Sequence, residues 1–164
     1  MTIYVFDANV FIDANNIFYD MNVFPAFWDW LILQNQRGNI VSIDKIFEEL
    51  CEKEDNLAEW ARQRDDNFFV ASGSVVVKKY SHVSSWANAS NYTRAAIHEF
   101  LDDAADSWLI AHALASGYIV VTHEVPGSDN EKIKIPDVCA DLRVKCMNLF
   151  DMLRRVKPKF ILEN

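Results

Sequence analysis

Ile3-Tyr4-Val5-Phe6-Asp7-Ala8-Asn9-Val10 is the stretch whose reading decides the fold. Four consecutive apolar residues predict a strand buried on both faces, as in parallel sheets covered by helices. Asp7 then falls at the carboxyl end of that strand, where open α/β sheets form their ligand crevice. Asn9 follows two positions later, and a helix is expected to begin near Val10. An acid and a carboxamide at a sheet mouth suit an oxygen-ligated metal and an oriented water. They equally suit a helix cap, because Asp and Asn side chains accept from the first free amides of a helix. This segment leaves both roles open, so other acids must converge on the same place.

Outward from the first strand, short apolar runs recur at Ile40-Val41-Ser42, Tyr118-Ile119-Val120-Val121 and Lys145-Cys146-Met147. Helical patterns separate them. One runs from Phe11 to Phe18, and a second from Pro25 to about Gln36, with Gly38 as its stop. A third is capped by Asp44 and runs to about Lys53, continuing after a break to Arg64. Further helices are expected over Thr93 to Phe100, Ala104 to Ser116 (closed by Gly117) and Phe150 to Val156. Residues 66–92 read two ways: Ser74 capping a helix from Val75 to Trp86, or a strand on the valine run. The alternation predicts an α/β chain, a three-layer αβα sandwich around a short, mainly parallel central sheet with right-handed crossovers. One domain over residues 1–164 is expected.

The chain has 164 residues, of which 51% are hydrophobic and 24% charged, enough for a sizeable core and too few charges for disorder. No run approaches the roughly 20 apolar residues of a membrane span. The start Met1-Thr2-Ile3-Tyr4 lacks a basic signal region, so a cytoplasmic protein is expected. Three cysteines without C-x-x-C spacing and four histidines without an H-E-x-x-H pattern speak against a zinc site. The net charge of −8 disfavours general attraction to phosphate backbones. A carboxylate pocket offset by bound cations is compatible with it, as is an acidic surface made for a basic protein partner.

Asp106 is the second informative acid. At 100° per residue it shares a helical face with Leu109, Ile110 and Ala113, where a charge is costly unless paired, hydrogen-bonded or metal-bound. Its place in the first turn gives a second explanation, the positive end of the helix dipole. Asp102 and Asp103 precede it by one turn and add negative charge. Glu49 lies at the edge of an apolar face made by Ile43, Ile46, Phe47 and Leu50, whereas Glu48 points away. Glu124 follows the third strand by two residues beyond Thr122 and repeats the strand-then-acid pattern of Asp7. Asp137, after Pro136, reads as a helix start and a reserve ligand. Oxygen donors of this kind select magnesium or manganese over zinc.

These pieces resemble the PIN-domain nucleases, including the toxin ribonucleases of bacterial toxin–antitoxin pairs. The resemblance rests on Phe6-Asp7-Ala8-Asn9-Val10, Phe47-Glu48-Glu49-Leu50, Ala105-Asp106-Ser107-Trp108-Leu109-Ile110-Ala111 and Val121-Thr122-His123-Glu124, in the family's order. Ile135-Pro136-Asp137-Val138-Cys139 looks like a feature of a PIN-like subgroup. The resemblance implies a Mg2+- or Mn2+-dependent endoribonuclease cutting single-stranded RNA to 5′-phosphate and 3′-hydroxyl ends. It implies Asp7, Glu49 and Asp106 as metal-binding acids and Asn9 as a positioning residue. Glu124 stands where the family more often has aspartate or asparagine, and Glu124, Asp103 and Asp137 are alternative fourth acids. A cognate antitoxin is the implied partner; homodimerisation is left open.

Trp28, Trp30 and Trp86 are candidates for base stacking, with core packing the commoner fate of tryptophan. Lys78-Lys79 and Arg62-Gln63-Arg64 are candidate phosphate contacts or plain solvated surface. Two rival functions are carried. A haloacid-dehalogenase-type phosphatase shares the apolar strand and leading aspartate, but Asn9 replaces the acid that would act as general acid. A catalytically silent PIN-like module would use its acidic, aromatic-rich surface for protein contact.

Overall fold

The computed structural model describes residues 1–102 and 105–162; Asp103, one of the alternative fourth acids, and Ala104 lie outside the described residues. At its centre is β1 (Tyr4–Phe6), buried along its whole length. It pairs in parallel with β2 (Ile40–Ile43) on one side, Val5 opposite Val41, and with β4 (Ile119–Val121) on the other, Phe6 opposite Val121. The short β3 (Phe69–Val70) and β5 (Cys146–Met147) form the edges, giving the order β3-β2-β1-β4-β5. All pairings are parallel. The unbroken burial of β1, β2 and β4 requires helices on both faces, so the αβα architecture expected from the apolar runs is the one found. The order matters for function. The chain winds outward from β1 to β3, then returns to the other side of β1, so the switch point lies between β1 and β4. Ligands of such sheets bind beyond the carboxyl ends of the strands at that point.

Helix boundaries follow local caps. α1 (Ala8–Asp13) starts three residues before the expected Phe11, because Asp7 itself is the cap and accepts from the Ala8 amide at 2.7 Å. From Ala14 to Phe18 the chain relaxes into a single π turn closed by Tyr19 N donating to Ala14 O. α2 (Pro25–Gln36) matches the expected span, and Gly38 past its end takes φ +73°, the left-handed conformation that favours glycine. α3 (Asp44–Leu50) includes Asp44 in its first turn, where the carboxylate accepts from the Lys45 amide, with Ile43 as the flanking residue. The helix stops at Leu50 and not near Lys53, because Asp55 starts a new one, α4 (Asn56–Arg62), by accepting from Ala58 N.

The ambiguous 66–92 region resolves into β3, which the sequence reading did not anticipate, and α5 (Ser74–Ala89). Val76, Val83 and Ala87 are buried at spacings of seven and four, the repeat of one helical face, and the backbone over the valine run is helical and not a strand. α6 (Arg94–Asp102) is capped by Thr93, which accepts from Ala96 N, and α7 (Ala105–Ser116) ends at Gly117 with φ +70°. α8 (Ile135–Leu142) is a full helix where only a start at Asp137 was expected. α9 (Leu149–Val156) is capped by Asn148. Among the described residues no helix is long and apolar enough to cross a membrane.

The core beside β1 is aromatic. Phe11 is wholly buried, with ring centroids 5.6 Å from Phe6, 5.8 Å from Trp60 and 6.1 Å from Phe68. Trp28 and Trp30 are 3% and 9% exposed, so neither is free to stack a base. Trp86 is half-buried, packs against Tyr92 and Phe100, and donates to Asp141. Of the basic residues, Arg62 is paired with Glu54, and Arg64 lies over the Trp60 ring while donating to the Trp60 carbonyl. Both serve the surface structure around α4. Because Phe11 ties α1 to β1 and to the Trp60 cluster, Phe11→Ala should cost about 3–5 kcal/mol. Urea denaturation would measure it as a lowered midpoint with an unchanged slope.

Candidate active site

Thr122, the residue after β4, organises the switch point. Its hydroxyl donates to Asp7 Oδ2 at 2.7 Å and accepts from the Asn9 carboxamide at 3.2 Å and from the Glu124 amide at 3.1 Å. Asn9 Oδ1 accepts in turn from His123 N at 2.9 Å. The β4 end is thus stitched to the start of α1 by hydrogen bonds through one buried hydroxyl. Asn9, expected to position water or a ligand, has both ends of its carboxamide engaged in this stitching. His123 continues the seam: its Nδ1 lies 2.8 Å from Asp13 Oδ2, and its ring stacks on Phe150. Sequence reasoning quoted Thr122 within a motif but gave it no role. A threonine at the carboxyl end of a buried strand, between two acids in space, was the available signal.

Asp7 is both cap and member of an acid cluster. It is 3% exposed, and its carboxyl is held well above the ordinary range, first by burial and next by the charge of Asp106. Glu124 pushes the same way, while Thr122 and the Ala8 amide pull downward. Asp106, in the first turn of α7, is pushed up to about 7 by burial and then by Glu124 and Glu49, with Lys132 and Lys134 opposing. Glu49 is raised by burial and by Glu52. Acids from the ends of β1 and β4 and from α3 and α7 therefore act on one another. Asp106 links the others: Glu124 and Glu49 act on it, and it acts in turn on Asp7.

A cleft of about 380 Å³ opens over Asp106 and Glu49 and is lined also by Glu48, Glu52, Glu99 and Lys45. Glu48, expected to face solvent, lines this cleft too and pairs with Lys45 at 3.3 Å while 65% exposed. Asp7 lies buried and Glu124 lines a neighbouring groove with Thr122, Pro126 and Pro136. Glu124 is engaged at both oxygens, accepting from Ile135 N at 2.8 Å and lying 3.6 Å from Lys134 Nζ. Asp137 is spent locally, accepting from the Gly127 amide at 2.8 Å. Among the described residues no three His, Cys, Asp or Glu side chains form a ready coordination cage. The donor chemistry nevertheless fits a hard cation: carboxylates that raise one another's proton affinity are relieved by divalent charge.

Comparison with curated proteins gives no match. Among solved structures, the crystal structure of VapBC2 from Rickettsia felis bound to a DNA fragment from their promoter is similar in fold. Its TM-score is 0.50 at 14% identity, covering 90% of this chain and 98% of that one. The family model described as "Domain of unknown function (DUF4411)" matches residues 4–160, and the chain belongs to that family.

Proposed function

We propose that the chain is a PIN-like, divalent-metal-dependent endoribonuclease acting on single-stranded RNA. The observation that carries this reading is the convergence of acids on two buried carboxyls at the switch point of a parallel sheet, with Asp106 and Glu124 acting on Asp7, and Glu124 and Glu49 on Asp106. Buried like charges are expensive, and a site that keeps them is built for a counter-charge. Magnesium or manganese held by these acids would supply Lewis-acid charge to a phosphodiester and its attacking water. The protein's own part is positioning. Thr122 fixes the Asp7 carboxylate, Asn9 locks the β4 end against α1, and α7 presents Asp106 to the open cleft. In-line hydrolysis there would leave 5′-phosphate and 3′-hydroxyl ends.

By likeness to the VapBC2 complex, we extend the reading to a cytoplasmic toxin held by a cognate antitoxin. Ile17, Val23 and Phe24, all strongly exposed, offer such a protein an apolar surface. The phosphatase rival is weakened by Asn9, whose carboxamide is engaged by Thr122 and His123. The direct test is incubation of total RNA with and without manganese, comparing wild type with Asp7→Asn and Asp106→Asn. Cleavage should require the metal and fall at least about 100-fold in either variant, in the range of a lost metal ligand or electrostatic stabiliser. Manganese-independent cleavage, or full activity in both variants, would sink the proposal.

The same acids make stability depend on pH. Asp106 has an ordinary value of 3.8 and a folded-state value of about 7. A raised folded-state pKa means that stability is greatest below the unfolded value and is lost as pH climbs through the folded one. In chelator, the melting temperature should therefore fall between about pH 4 and pH 7. Asp106→Asn should flatten that slope and raise the melting temperature near pH 8 by roughly 5 °C, at about 2–4 °C per kcal/mol for a chain of this size. Differential scanning fluorimetry across the range reads it. A lower melting temperature for the variant would mark Asp106 as a structural helix-start acid.

A further inference from the structure

The loop from 123 to 134, between β4 and α8, is tied down along its length. Gly127 N donates to Asp137, Asn130 O accepts from Thr93 N, Asn130 Nδ2 donates to Asn91 O, and Glu124 accepts from Ile135 N. This anchoring carries two ammonium groups to the rim of the acid cluster. Lys134 Nζ lies 3.6 Å from Glu124 Oε1, and the two side chains are only 28% and 16% exposed. Lys132 Nζ lies 3.9 Å from Glu99 and lines a small recess of about 80 Å³ that it shares with Asp106 and Glu99. In a chain of net charge −8, a largely enclosed Lys134 and a more exposed Lys132 both placed against the acid cluster are a specific arrangement. Lys45 lines the cleft itself and is held 3.3 Å from Glu48, an i,i+3 pair within α3.

We propose that Lys134, with Lys132 beside it, is a substrate-binding residue for the polyanionic backbone of single-stranded nucleic acid, exchanging its carboxylate partner for a phosphate oxygen when divalent charge fills the acid cluster. This rests on the nuclease reading above. An acid cup repels phosphate, and even a bound cation leaves flanking phosphates uncompensated. Ammonium groups serve there as point charges, needing no fixed approach geometry. Without substrate they act as internal counter-ions for Glu124 and Glu99. With substrate and divalent charge present, Glu124 and Glu99 would no longer need the lysines, and the ammonium groups would be free to meet phosphate oxygens.

The experiment uses the full chain, a short fluorescein-labelled single-stranded oligoribonucleotide, and calcium as a divalent probe, reading anisotropy over a series of KCl concentrations. Lys134→Gln should weaken binding several-fold and reduce the slope of log affinity against log salt by about 0.7–1. Lys132→Gln should act in the same direction, and Lys134→Arg should keep the wild-type slope. Manganese titration by calorimetry should show Lys134→Gln binding the ion at least as tightly as wild type, since a competitor for Glu124 has been removed. Unchanged affinity and slope in Lys134→Gln, with a wild type that binds and cleaves RNA, would overturn the lysine assignment alone. Weaker manganese binding together with no rescue by Lys134→Arg would overturn it too, showing that Lys134 merely holds Glu124 in place. A wild type that neither binds nor cleaves RNA would overturn both this assignment and the nuclease reading.

Discussion

Everything in this molecule turns on a carboxylate buried where it is repelled. Asp7 has 3% of its surface exposed, and the charges that act on it, Asp106 and Glu124, are both negative. Burial alone would drive such a group to bind a proton; neighbouring acids drive it further. What keeps the residue in place is local geometry. Its Oδ1 caps α1, its Oδ2 takes the Thr122 hydroxyl, and the strand before it is locked by parallel partners on both sides. The cap and the candidate metal-binding acid are thus the same residue, and capping leaves the second reading of the first segment open. The cap fixes where the carboxylate points, and the sheet topology fixes what it meets.

The parts of the fold legible in the sequence were those set by local physics. Apolar runs of four marked β1 and β4, Gly38 and Gly117 closed their helices with positive φ, and Pro25 opened α2. What the sequence hid was set by partners far along the chain. β3 is two residues long and is a strand because Ser42 and Ile43 pair with it. The valine run of α5 has strand composition and helical burial, and only packing against other elements distinguishes the two. The sharp stop of α3 at Leu50 follows from Asp55 capping a new helix, a local competition between two plausible starts.

The site was legible to the same extent. Asp7 and Asp106 declared themselves by standing where a charge is costly, and the structure brings them within each other's field. Glu49 was picked out from Glu48 by helical phase, yet both line the cleft, because a cleft over exposed helix surface admits a wide arc of side chains. Thr122 was passed over because a neutral hydroxyl carries no charge anomaly in a sequence. Its importance is a matter of two hydrogen bonds, to Asp7 and from Asn9, that form only when β4 lies beside β1. The lysines were hidden for a further reason: residues 132 and 134 look like ordinary loop surface until the loop is folded back over α6 and α7.

Those lysines bear on a tension that net charge alone leaves standing. A chain of −8 with an acid cluster at its ligand crevice should repel nucleic acid at long range. Attraction at short range then has to be assembled locally, from cations brought by the solvent and ammonium groups brought by the chain. The two sources are not equivalent. On the proposed reading divalent ions would compensate the acids that face the cleft, whereas Lys134 and Lys132 lie 3.6 Å from Glu124 and 3.9 Å from Glu99. As long as the acids lack divalent charge, the lysines are committed to them and the crevice presents little to a phosphate. Were that charge to arrive, the same ammonium groups would become available. On the nuclease reading proposed above, substrate affinity would be coupled to metal occupancy by electrostatic exchange, with no change of backbone conformation required.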